Sequence, residues 1–195
     1  MKLLAKVTSI VFHPVIFSLV LPFTLVFRHT HNIVYAFKWM IFSSIFLFLA
    51  LFLFFLSRPK EFFSDFDIAK REKRQLFYAI TCISGILYLC AALFIKGPAF
   101  PLSIVAIGIV ISCVVLEIAN RFVKVSIHTA VSVAFVVSMG LLYGWTVFFS
   151  LLIIIPAIIW SRLTLKKHTR IEVTLGVALG IMVTFLTFSI GLLLK

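Results

Sequence analysis

The sequence predicts an all-α protein, a multi-pass transmembrane helical bundle of six to seven spans. Three observations lead there. Hydrophobic residues make up 63% of the 195-residue chain and charged residues only 12%, more apolar surface than one soluble core of this size encloses. The mean hydropathy is +1.23. The apolar residues fall into runs of about 20, the length that crosses a bilayer as a helix, separated by short polar links. The net charge of +12 therefore belongs to links that face headgroups, phosphates or cytoplasm. Outside those links no basic stripe is interleaved with aromatics, so no nucleic acid is expected as a partner. The whole chain, residues 1–195, reads as a single integral membrane domain.

Residues 7–27 form the first span. Met1-Lys2-Leu3-Leu4-Ala5-Lys6 could open a signal peptide, but the run behind it is long enough to cross and no small-x-small cleavage site follows. It is read as a retained helix, kinked at His13-Pro14. After Arg28-His29-Thr30-His31-Asn32 comes a second span at residues 35–56. The longest polar stretch, residues 57–74, holds four of the six acidic residues. Spans three and four, residues 75–95 and 100–119, are joined by Lys96-Gly97-Pro98-Ala99, a tight turn by composition. Residues 127–160 are too long for one span. Tyr143-Gly144-Trp145, a glycine between two interfacial aromatics, divides them into spans five and six, each near the lower limit for crossing. Residues 171–194 form the seventh. Cys82, Cys90 and Cys113 all lie inside apolar runs without metal-ligand spacing and read as packing residues.

Counting crossings puts the links at residues 57–74, 120–126 and 161–172 on the face that carries the N-terminus. All six acidic residues fall there, with every basic residue except Arg28, Lys38, Lys96 and Lys195. The ionisable chemistry is one-sided. Two of those links have the residues of a site. The island from Ser161 to Glu172 carries Arg162, then His168 and Glu172 at i and i+4, which share a face if a helix begins near Lys167. A carboxylate there takes one imidazole N–H and leaves the other nitrogen as a directed lone pair, the geometry of phosphoryl transfer to histidine, with a guanidinium to hold phosphate oxygens. The alternative is an interfacial loop whose cations anchor two helices. In the second link, Lys124-Val125-Ser126-Ile127-His128 leads into a helix. Its first turn offers backbone N–H groups to an anion, Ser126 suits the cap, and His128 lies one turn into membrane depth, where an unpaired imidazole is costly.

The spacing Ser161-Arg162-x5-His168-x3-Glu172 resembles the third motif of the type 2 phosphatidic acid phosphatase (PAP2) superfamily, Ser-Arg-x5-His-x3-Asp. Val125-Ser126-Ile127-His128 is similar to its second motif, Pro-Ser-Gly-His, without the proline and glycine. Two spans between the motifs also match. The resemblance covers roughly residues 65–176, which would be the catalytic core. The first motif, Lys-x6-Arg-Pro, is out of register: Arg58-Pro59 has Leu51 where the lysine belongs. The best substitute is the run ending in Lys70, Arg71, Glu72, Lys73 and Arg74, of which Lys70 and Arg74 share a helical face.

The resemblance implies a lipid phosphatase. Its implied catalytic residues are His168 as nucleophile, Glu172 fixing the tautomer, and His128 as acid and then base. Arg162, Lys124, Ser126, Arg74, Arg71 and Lys70 would bind the phosphoryl oxygens. It implies no metal and no other cofactor, since protein cations carry the charge. Glutamate replaces the family's aspartate and adds one methylene, which leaves its orientation open. The partners expected are the bilayer and a lipid phosphate of the phosphatidate or polyprenyl type, as monoester or diphosphate. Two rivals stand beside this reading. Asp65-Phe66-Asp67 could hold magnesium-diphosphate, as in intramembrane prenyltransferases. A non-catalytic relative, or a small lipid or anion transporter, would keep the shape without turnover. The positive-inside rule puts the site on the cytoplasmic face, even with the possible ligands set aside, whereas the resemblance implies the outer face.

Overall fold

The computed structural model describes residues 1–57 and 74–194, and among these the regular structure is all α-helix with no strand. The helices are α1 (Lys2–Val11), α2 (Pro14–Thr30), α3 (Ile33–Ser57), α4 (Arg74–Lys96), α5 (Pro101–Asn120), α6 (Ile127–Tyr143), α7 (Trp145–Leu151), α8 (Ile154–Thr164) and α9 (Arg170–Leu193). Six stretches are long and apolar enough to cross a membrane: 2–30, 33–57, 74–96, 101–120, 145–164 and 170–193. The chain is an integral multi-pass membrane protein. The seventh apolar helix, α6, has 17 residues, a rise of roughly 26 Å at 1.5 Å per residue, at the short end of what spans.

Two of the crossing stretches are each broken by a proline. Pro14 has no N–H to give Ile10, so α1 ends at Val11 and His13 instead donates its backbone N–H to the Ile10 carbonyl at 3.2 Å. The His13 side chain then caps the new helix, Nδ1 accepting the Val15 N–H at 3.3 Å. Pro156 likewise cannot bond the Leu152 carbonyl, and α7 and α8 separate at Leu152 and Ile153.

The chain forms two compact units. Met1–Leu21 and Lys124–Phe185 make the first; the described residues of 22–123 and 186–194 make the second. In the second unit α4 packs between α3 and α5. Its larger core gathers Val26, Ala36, Trp39, Tyr88, Phe100, Leu102 and Ala106, and one buried polar pair, Ser43 Oγ and Tyr88 Oη at 2.7 Å, ties α3 to α4. The turn at Gly97 has φ +84°, and Ser103 Oγ donates back to the Gly97 carbonyl at 2.8 Å.

In the first unit α6 turns back on α7 and α8 through Gly144, whose φ of +92° suits glycine. The apolar core here is Phe17, Phe135, Val136, Met139 and Ile154. α9 meets α6 along a stripe of small residues four apart. A Cβ on Gly176 would lie 2.8 Å from the Ser126 carbonyl oxygen, and one on Gly180 2.5 Å from that of Ala130. Thr184 continues the stripe, its Oγ1 3.5 Å from the Ala134 carbonyl. Removing side chains at that spacing lets two membrane helices approach backbone to backbone. α1 docks on α8, with Ser161 Oγ donating to the Ala5 carbonyl at 2.6 Å.

Candidate functional site

The polar island closes α8 and opens α9. After Thr164 the chain turns tightly: the Lys166 N–H reaches the Leu163 carbonyl at 3.0 Å and the Lys167 N–H the Arg162 carbonyl at 3.1 Å. Lys166 has φ +54°, a left-handed conformation that costs a side-chain-bearing residue about 1–2 kcal/mol. Strain of this kind persists where the surroundings fix it, and functional sites are common among such places.

His168 and Thr169 follow, and α9 begins with a reciprocal cap. Thr169 Oγ1 accepts the Glu172 N–H and Glu172 Oε2 accepts the Thr169 N–H, both at 3.3 Å. This is a capping box, Thr-x-x-Glu, in which each side chain satisfies a backbone donor of the other. The same Oε2 lies 2.6 Å from His168 Nδ1. The carboxylate thus accepts the Nδ1 proton and makes Nε2 the ring nitrogen with the lone pair. The His168 side chain is almost fully enclosed, 1% exposed, against 18% for Glu172.

A cavity of about 360 Å³ opens here, lined by Lys124, Leu163, Lys166, Lys167, His168, Thr169 and Glu172. Lys124 comes from the other predicted link and donates from Nζ to the Lys167 carbonyl at 3.3 Å. Three ammonium groups and one imidazole face one carboxylate that is already engaged, so the cavity suits an anion.

The second link docks onto the same helix end. The Ser126 N–H donates to the Glu172 carbonyl at 3.2 Å. Ser126 Oγ, fully buried, caps α6 by accepting from the Thr129 N–H at 3.4 Å and from Thr129 Oγ1 at 2.9 Å. His128 is buried in the first turn of α6, and its ring meets that of His13 edge to face, centroids 4.8 Å apart at 89°. Arg162 is buried as well, and its Nη1 donates to Ser9 Oγ of α1 at 2.9 Å.

The structure thus brings His168, Glu172 and Lys124 to one cavity and packs Ser126 against the same helix start. It puts His128 against His13, and Arg162 against α1. Arg74 opens α4 in the second unit and is buried there. Lys70 and Arg71 lie outside the described residues, as do Asp65 and Asp67. Among the described residues no three His, Cys, Asp or Glu side chains cluster as metal ligands would.

Sequence reasoning passed over several residues that matter here. Thr169 carried a readable signal, the Thr-x-x-Glu spacing of a cap, and Gly176-x3-Gly180 carried another, the small-residue repeat of close helix packing. Lys166 and Lys167 were not among the expected ligands. Ser9 had no local signal, since Arg162 is more than a hundred residues away, and the kink read at His13-Pro14 says nothing of the contact of its ring with His128. No family model matches the chain, and neither a curated protein nor a solved structure matches it.

Proposed function

We propose that this chain is a membrane-embedded phosphatase that hydrolyses a lipid phosphate, a monoester or diphosphate of the phosphatidate or polyprenyl type, through a phosphohistidine intermediate. One observation carries the reading: the 2.6 Å contact of His168 Nδ1 with a Glu172 carboxylate that is itself held by the helix cap, on the wall of a lysine-rimmed cavity. Nε2 attacks the terminal phosphorus, the N–P bond forms as the P–O bond to the leaving group breaks (ester in a monoester, anhydride in a diphosphate), and the leaving oxygen takes a proton from His128. Lys124, Lys166 and Lys167 balance the charge on the phosphoryl oxygens. Glu172 stabilises the imidazolium. Water then attacks the phosphohistidine, His128 recovers a proton from it, and the P–N bond breaks to release inorganic phosphate. The motif resemblance to type 2 phosphatidic acid phosphatases supports the roles of His168, His128, Glu172 and Lys124 and adds Arg162 and Ser126 to the phosphate ligands.

One observation favours a second reading, an anion-binding protein without turnover: Arg162 gives one amino group to Ser9. Purified protein and its His168→Ala variant, assayed on a panel of lipid phosphates in chelator, decide between them. The phosphatase reading expects phosphate release and an acid-labile protein-bound phosphate from the wild type, and neither from His168→Ala in an equally folded, membrane-inserted protein. Turnover undiminished in the variant refutes the nucleophile. Absence of turnover in the wild type, with phosphate still bound, supports the second reading. A requirement for magnesium would favour diphosphate transfer of the prenyltransferase kind. The excess of basic residues on the face of the site supports a cytoplasmic orientation, which cysteine labelling at position 167 from either side of sealed vesicles checks.

A further inference from the structure

A second basic feature lies in the second unit, remote in sequence from His128 and His168. A cavity of about 340 Å³ between the start of α3 and the end of α4 is lined by Tyr35, Lys38, Trp39, Phe42, Ile95 and Lys96. Lys96, the last residue of α4, holds Nζ 5.3 Å above the Tyr35 ring, a cation–π distance. Trp39 is buried and forms the wall with Phe42, ring centroids 5.0 Å apart.

Lys38 is the residue without an explanation. It stands five residues into α3, about 7–8 Å along the helix axis, and is exposed among the lipid-facing Val34, Phe37 and Ile41. A cation at that level is costly unless it reaches an interface or meets an anion. No aspartate or glutamate occurs in residues 22–57 or 74–100, and among the described residues neither Lys38 nor Lys96 pairs with a carboxylate. Two ammonium groups thus flank an otherwise apolar and aromatic cavity at a membrane-helix end, with no counter-charge among the described residues.

We propose that this cavity binds an anionic phospholipid, its phosphate between Lys38 and Lys96 and its glycerol and first acyl carbons against Trp39, Phe42 and Ile95. Basic pockets between membrane helices suit such headgroups, and aromatic rings belong at that depth. The cation–π contact holds the Lys96 ammonium above the cavity before any lipid arrives.

The test is thermal unfolding and lipid titration of the full chain in neutral detergent, with phosphatidylglycerol, phosphatidylcholine of the same acyl chains, or inorganic phosphate. Phosphatidylglycerol should raise the unfolding temperature beyond what phosphatidylcholine or inorganic phosphate gives. Lys38→Gln or Lys96→Gln should each weaken its binding about fivefold, and the pair roughly 25-fold, while Lys38→Arg retains it. Both lysines are exposed, so the variants should fold. Equal responses to the two lipids, a response to inorganic phosphate alone, or unchanged binding by the double variant would each overturn the proposal. His168→Ala should respond to phosphatidylglycerol as wild type does, so the outcome is separate from that of the phosphatase reading.

Discussion

Glu172 holds two jobs on one oxygen, and substitution can separate them. Glutamine at the third position of a helix still serves a capping box, so Glu172→Gln should keep the Thr169 N–H satisfied and α9 intact. What it removes is the negative charge 2.6 Å from His168 Nδ1. A hydrogen bond to a charged group contributes about 1.5–3 kcal/mol, and the proposed imidazolium develops only on the way to phosphohistidine, so the loss falls on the rate. At 1.36 kcal/mol per tenfold, kcat should drop by roughly 10- to 150-fold. Thr169→Ala is the converse. It deletes the hydroxyl that accepts the Glu172 N–H at 3.3 Å, at a cost of about 1 kcal/mol in stability, while the carboxylate retains its contact with His168. Steady-state phosphate release from a lipid phosphate, with thermal unfolding of the same preparations, reads both. The reasoning fails if Glu172→Gln turns over like wild type, or if Thr169→Ala slows the reaction as much as Glu172→Gln does.

Two further substitutions probe the frame and the rim of the site. Gly180→Ala places a methyl about 2.5 Å from the Ala130 carbonyl oxygen, so α9 must shift from α6; a stability loss of about 1–3 kcal/mol is expected, and a cysteine pair introduced at 134 and 184 should crosslink less readily than in the parent. Lys166→Gly relieves the left-handed strain at φ +54° and should stabilise the protein by about 1 kcal/mol, yet it removes one cation from the cavity, so KM for a lipid phosphate should rise; a variant that is both more stable and unchanged in KM would show that Lys166 takes no part in binding.

The course of the helices was written plainly in the chain. Apolar runs of bilayer length and the breaker Tyr143-Gly144-Trp145 mark them because burial in lipid demands continuous apolar sequence. The His168–Glu172 pair was equally legible, because i to i+4 is a local relation that a helix enforces. Arg162 shows where such reading stops. Its place in the sequence is local, a guanidinium six residues before a histidine, but one of its hydrogen-bond partners is Ser9, brought there by the docking of α1 on α8. The facing rings of His13 and His128 are a contact of the same kind, set by a proline break in one helix and a capped start in another. The left-handed Lys166 was hidden for a different reason: nothing in a lysine announces a backbone conformation that glycine or asparagine adopts at less cost.

The bond from Ser161 to Ala5 joins residues 156 positions apart, and that distance has a meaning for biosynthesis. At about 5–20 residues per second, α1 waits roughly 8 to 30 s after its own synthesis before the helix it docks on has been made. During that interval Ser9 and His13 sit in a membrane or beside an insertion factor with their eventual partners unsynthesised. α1 is thus among the last helices of the first unit to reach its place, and substitutions on its α8-facing side should disturb the final assembly of that unit more than they disturb insertion.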